Sequence, residues 1–248
     1  MGKKVLSLVL GIILLLTFAP KAAAQDEIEI NDVQVSYDFG EEIRFSANVK
    51  APSPIQEVLL SFRDLRESNT RVISLDPDKT GRVSYAYNAR ENLLRPFAKI
   101  TLEFEVKLKS GESKTSQSYS FVYTDNRFDW QSRKEGQLRV HWYEGGTEFG
   151  IAALDTARVS LQEIESLFPV ALTAPLDIYI YASPADLQNA LFMGGETWVS
   201  GHASPALGLV LVAIVPGVEE KILMNRQIPH ELAHVLLYRH IGERYDLL

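Results

Sequence analysis

The run Ile100-Thr101-Leu102-Glu103-Phe104-Glu105-Val106-Lys107-Leu108 decides how the first half of this chain folds. Apolar and polar residues alternate through it without a break, and a period of two places every apolar side chain on one face of a strand. A helix would scatter the same residues around its axis. The alternation recurs where Ile43, Phe45, Ala47 and Val49 interleave with Arg44, Ser46 and Asn48. Between Ile28 and Tyr123 such segments are separated by turn-forming runs, among them Ala51-Pro52-Ser53-Pro54, Asp76-Pro77-Asp78 and Ser110-Gly111-Glu112. About seven short strands at this spacing predict an antiparallel β-sandwich of immunoglobulin or fibronectin type.

The period changes after Tyr123. Thr124 to Asp129, followed by Trp130-Gln131-Ser132-Arg133-Lys134-Glu135-Gly136, reads as a boundary between units. Beyond it Leu138, Val140 and Trp142 mark a strand, whereas Phe149, Ala153, Ala157, Leu161, Ile164 and Phe168 fall at helical spacing. Leu176 to Tyr181 and Leu207 to Val215 read as strands with a short helix after Pro184 between them, and Glu219 to His240 is helical in period with Pro229 inside it. The expected fold class is α+β, with a sandwich over 25–125 and a mixed domain over 126–248.

The N-terminus has its own logic. Lys3 and Lys4 precede an apolar stretch from Val5 to Phe18, and Ala22-Ala23-Ala24 ends in an AxA-type cleavage site before Gln25. That is the pattern of a secretory signal peptide over 1–24, and the apolar run falls short of the roughly 20 residues that span a bilayer. The mature chain is expected to be exported, to start near Gln25 and to keep no stable membrane anchor. A net charge of −7 with scattered basic residues gives no face for phosphates, so nucleic acid is not an expected partner. The chain has no cysteine, which leaves imidazoles and carboxylates as its metal ligands.

Those ligands converge at His230-Glu231-Leu232-Ala233-His234, an HExxH motif. Four residues of helix turn a side chain by about 400° and advance it about 6 Å, so two histidines at i and i+4 share one face and reach one metal. Zinc accepts neutral imidazole nitrogen, and a catalytic site uses three protein ligands and keeps a fourth position for water. Glu231 is turned about 100° from His230, toward that water, and is the expected general base. The expected cofactor is Zn2+, with His230 and His234 as metal ligands and Glu231 as the catalytic residue. Apolar Ile228, Leu232, Val235 and Leu236 flank the motif, as a partly buried helix requires.

Gln227-Ile228-Pro229-His230-Glu231-Leu232-Ala233-His234-Val235-Leu236-Leu237-Tyr238, with Trp198-Val199-Ser200-Gly201 and the β-rich Leu207 to Val215 ahead of it, resembles the peptidase MA-like metallopeptidases of the gluzincin group. The resemblance covers Phe128 to Leu248 and implies a secreted bacterial zinc metallopeptidase acting on a peptide or protein substrate. It also implies a third ligand from a Glu on the next helix, in an Asn-Glu-Gly type stretch. Leu248 lies fourteen residues past His234, so that stretch is expected beyond Leu248, in a domain that is incomplete as it stands.

The remaining candidates carry blander readings. His240 has the spacing of a third metzincin histidine, but the helix-breaking Gly of that motif is Leu237 here, so His240 is expected off the metal face. Glu243 and Asp246 read as solvated residues at the helix end, and Gly194-Gly195 as a turn. His141 is expected on a surface strand beside Arg139 and Tyr143; His202 is expected in a loop just before the strand that aligns substrate in the resembling family. Two rivals remain open: a metallohydrolase that cleaves another bond, and a secreted sandwich binding module with a metal-deficient zincin remnant. Processing is directly checkable. N-terminal sequencing of the exported protein should begin at Gln25, and retention of Lys3 and Lys4 would contradict the signal-peptide reading.

Overall fold

The computed structural model describes residues 27–168, 170–192, 201–204 and 207–241. The signal-peptide reading of 1–24 therefore lies outside the described residues. The first half forms eight strands: β1 (Glu29–Asp38), β2 (Glu42–Lys50), β3 (Ile55–Asp64), β4 (Arg71–Leu75), β5 (Arg82–Asn88), β6 (Lys99–Leu108), β7 (Ser113–Thr115) and β8 (Tyr119–Val122). One sheet has the order β1-β2-β5; the other has β4-β3-β6-β7, with β8 also on β6, and all pairings are antiparallel. The fourth strand joins the sheet of β3 and β6, so this is not the ABED/CFG division of a constant-type immunoglobulin domain. The two inner faces meet through alternating residues such as Phe45, Phe62 and Phe104, all fully buried.

β7 and β8 are two pieces of one interrupted strand. Glu105 faces Thr115 and Leu102 faces Tyr119, so three steps along β6 match four on its partner, which is a one-residue bulge. Ser116 serves the irregular step: its Oγ accepts from Phe104 N at 3.1 Å while its own N–H donates to Phe104 O at 2.8 Å.

The second half is a mixed layer of β9 (Gln131–Glu135), β10 (Leu138–Trp142), α1 (Gly146–Leu167), β11 (Leu176–Tyr181), α2 (Pro184–Phe192), β12 (Gly201–Ser204), β13 (Leu209–Ala213) and α3 (Glu220–Ile241). Its sheet has the order β12-β13-β11-β10-β9; β10, β11 and β13 are parallel, and the two edges run antiparallel to them. The molecule is α+β, as the change of period required. The boundary stretch is more structured than its polar composition suggested. Gln131 to Glu135 is exposed at every position yet pairs with β10 through its main chain alone, which leaves no apolar alternation to read.

Both faces of the mixed sheet are covered. Leu138, Val140, Trp142, Ile178, Ile180, Val210 and Val212 face α1 and α3 in one core, while Tyr181, Leu209, Leu211 and Ala213 join the core of the sandwich. At the end of β10, Trp142 Nε1 donates to Gly146 O at 2.9 Å, and the ring lies over Gly150 of α1, where an added Cβ would come within 2.3 Å of it.

Covering the second face corrects the reading of His141. It is only 8% exposed, its ring stacks on Tyr179 at 4.0 Å, and its Nε2 lies 2.7 Å from Asp177 Oδ1. The residue does alternate with Arg139 and Tyr143, but their face of the sheet is turned to the sandwich rather than to solvent.

The seam is tied by a buried carboxylate. Asp125, fully buried, accepts from Arg127 Nε at 2.8 Å and Nη2 at 2.6 Å and from the Tyr181 hydroxyl at 3.0 Å. That carboxylate raises the guanidinium pKa of Arg127, and burial pushes the Tyr181 hydroxyl well above its ordinary range. Phe128 stacks on Tyr143 at 4.1 Å, and Trp130 meets Tyr143, Tyr179 and Tyr181 edge-on. Asp125→Ala strands Arg127 and Tyr181 without their partner and is expected to cost about 3 kcal/mol. Urea unfolding should report that loss in one transition, because one core runs through both halves; two separate transitions would contradict it.

Candidate metal centre

α3 starts where Glu220 Oε2 accepts from Gly217 N at 2.9 Å, a side chain reaching back to cap the first turn. Met224, Ile228, Leu232, Val235 and Leu236 form its buried stripe, which packs against the sheet and α1. Pro229 lies within the helix, where it has no N–H to give to the carbonyl of Asn225 one turn earlier. The motif follows at once.

His230 is exposed and His234 half-buried, and the two rings converge. Their Nε2 atoms are 3.2 Å apart, with ring centroids at 4.8 Å and planes at 79°. Two nitrogens bound to one tetrahedral zinc at about 2.0 to 2.1 Å would be about 3.3 to 3.4 Å apart. The observed spacing therefore fits a shared ion with almost no movement, and the exposed His230 leaves the pair open to solvent.

Glu231 stands between this open face and the apolar stripe and is 8% exposed. Burial raises its carboxyl pKa above the ordinary range, while the neighbouring charge of His230 acts in the opposite sense. Burial, and then the charge of His230, lower the pKa of His234. Both shifts favour the uncharged forms. For His234 this means a ring whose lone pair stays available to a metal at pH values where a free histidine begins to protonate.

Among the described residues no group of three His, Cys, Asp or Glu side chains converges on one point. Glu243 and Asp246 lie outside the described residues, as do Gly194-Gly195 and Trp198 to Ser200. The helix runs through Leu237 to Ile241 without a break, and His240 is exposed on its last turn. His202 belongs to β12, the antiparallel edge strand paired to β13, rather than to a loop before it. Three neighbouring residues of the edge (Gly201, Ala203, Ser204) pair along with it, and α3 lies against this strand.

Gln227 carries no functional reading from the sequence alone. It sits one turn before Glu231, roughly on the same helical face as Glu231 and His234, and its side-chain Oε1 is buried without a hydrogen-bond partner. An orphaned acceptor at this place is an unsatisfied polar group that a bound water or ion would relieve. Only its polarity in an otherwise apolar stripe could have marked it.

No protein-family model matches the sequence, and no curated protein does. Solved structures with a similar part include wild-type OgpA from Akkermansia muciniphila, at 20% identity and a TM-score of 0.33 over 40% of this chain and 28% of that one. OgpA has also been solved, catalytically inactive, with an O-glycopeptide substrate. The sensor domain of the anti-sigma factor RsgI4 from Pseudobacteroides cellulosolvens shares 16% identity over 40% of this chain and 96% of that one, with a TM-score of 0.30. A cycloalternan-degrading enzyme from Trueperella pyogenes shares 15% over 48% of this chain and 14% of that one, at 0.28. This chain thus spans less than a third of OgpA.

The pKa shifts carry a sign that calorimetry can read. Because the folded-state pKa of Glu231 is raised, its contribution is fully present below the unfolded carboxylate range and is lost as pH rises through the folded value. Glu231→Gln removes that loss, so the metal-free variant should melt above wild type at pH 7 and level with it near pH 4. An equal or lower melting point at pH 7 would contradict the desolvation of Glu231.

Proposed function

We propose that this chain is an exported, zinc-dependent peptidase, with His230 and His234 as metal ligands and Glu231 as general base. The observation that carries the reading is the 3.2 Å convergence of the two Nε2 atoms beside a buried carboxylate. Zinc, when bound, supplies Lewis acidity to a carbonyl oxygen and to water. A third ligand is required of such a site and lies outside the described residues.

The chain's own residues account for the proton. Glu231 is held where solvent is scarce, and its raised pKa brings it closer to the working range of a base that must also give its proton back. It takes the proton of the attacking water and returns it to the leaving nitrogen as the peptide bond opens. His234 stays neutral, and the exposed His230 keeps the approach open from solvent. Among the described residues β12 ends the order of the mixed sheet and lies beside α3, so an extended peptide laid along this end of the sheet would run past the motif. That is what favours a peptide over another hydrolysable bond. Export rests on the pattern of 1–24, and the described residues contain no helix long and apolar enough to cross a membrane.

The alternative is a secreted sandwich binding module with a metal-deficient zincin remnant. Activity on casein, with metal content measured alongside, separates the two. Glu231→Gln should retain zinc and lose about 100- to 10,000-fold in kcat, the span of general acid–base catalysis. Unchanged hydrolysis in the variant would remove Glu231 from the chemistry, and protein without zinc or activity would favour the binding module.

A further inference from the structure

We propose that the seam between the sandwich and the mixed sheet is a second binding site, built for a small organic anion with an apolar body. A half-open cavity of about 410 Å3 lies there, within the size range of small-molecule sites and at the kind of junction that such sites favour. It opens on the sandwich face of the mixed sheet, through Asp177, Tyr179 and Leu209; α3 packs on the opposite face through Val210 and Val212. The cavity is thus separate from the paired histidines.

Much of its wall is apolar. Phe97 of the sandwich meets Tyr179 of β11 at 4.1 Å between ring centroids, and Leu65 and Val122 stay exposed at the mouth. Phe97 has φ 59, in the left-handed region that a residue with a side chain seldom enters. Its N–H is held by Tyr123 O at 2.8 Å. Strained positions of this kind persist only where their surroundings over-determine them, and they gather at ligand clamps. In that conformation the Phe97 ring forms a wall of the cavity. Gly208 lines another side at φ 64, and a Cβ there would come within 2.6 Å of Pro175 O, so the close approach of that backbone requires glycine.

Charge selects the ligand. Two carboxylates line the cavity and both are already matched. Asp64 is fully buried against the Arg95 guanidinium, and Asp177 lies 2.7 Å from His141 Nε2 and 3.5 Å from Arg139 Nη1. Arg66 and Lys99 also line it, and among the described residues neither stands in an ion pair. The charge that meets an incoming molecule is therefore positive, on a chain whose net charge is −7. A carboxylate or sulfonate head would settle against Arg66 and Lys99, with a hydrocarbon or aryl body against Leu65, Val122 and Phe97.

Anilinonaphthalene sulfonate is a suitable probe for the whole chain. A single saturable equivalent is expected, with affinity falling about tenfold or more in the double variant Arg66→Glu, Lys99→Glu. Both positions are exposed, so the thermal midpoint should hold and the loss should report the site rather than unfolding. Octanoate should displace the dye and octanol should not. His230→Ala should bind the dye as wild type does, so that failure here is distinct from failure of the metal reading. Unsaturable binding, equal affinity in the double variant, equal displacement by octanol, or loss of binding in His230→Ala would each overturn the proposal.

Discussion

Everything in this molecule is arranged around a strand of five residues that is buried on both sides. Along β13, Leu209, Leu211 and Ala213 point into the core shared with the sandwich, and Val210 and Val212 point into the core beneath α1 and α3. Parallel strands covered on both faces can carry no outward polar set, which is why the strand reads as one continuous apolar run. The consequence is mechanical. The sandwich is packed against the sheet that supports the motif helix, and the Asp125, Arg127 and Tyr181 cluster fixes the junction with directional bonds where apolar contact alone would permit sliding.

The same arrangement sets the electrostatics of the candidate metal centre. The apolar stripe of α3 must face the sheet, and this fixes the rotation of the helix. His230 is then left outside, His234 half in, and Glu231 against the apolar side. Desolvation of Glu231 and His234 follows from that rotation and disfavours the charged forms of both. A metal at the paired nitrogens would offset that desolvation cost. The buried oxygen of Gln227, one turn back, is a further sign that this face is shaped for something more than packing.

Much of this was legible in the residues, for reasons that differ by region. Period-two runs such as Ile100 to Leu108 announced the sandwich because one face is wet and the other dry, and the spacing of His230 and His234 announced a shared helical face because geometry allows nothing else. β9 was invisible because Gln131 to Glu135 enter the sheet by main-chain pairing with every side chain exposed. His141 misled because alternation reveals which residues share a face, and not what covers that face. Here the cover is the sandwich, separated from β10 in sequence, and the burial of a histidine against Asp177 and Tyr179 is a long-range fact.

In the function proposed above, two imidazoles of α3 hold one metal ion. X-ray absorption at the zinc edge of the zinc-loaded full chain tests it most directly. Two imidazole nitrogens are expected at about 2.0 to 2.1 Å, reduced to one in His234→Ala. A shell of oxygen atoms alone, or a nitrogen shell that survives His234→Ala unchanged, would contradict it.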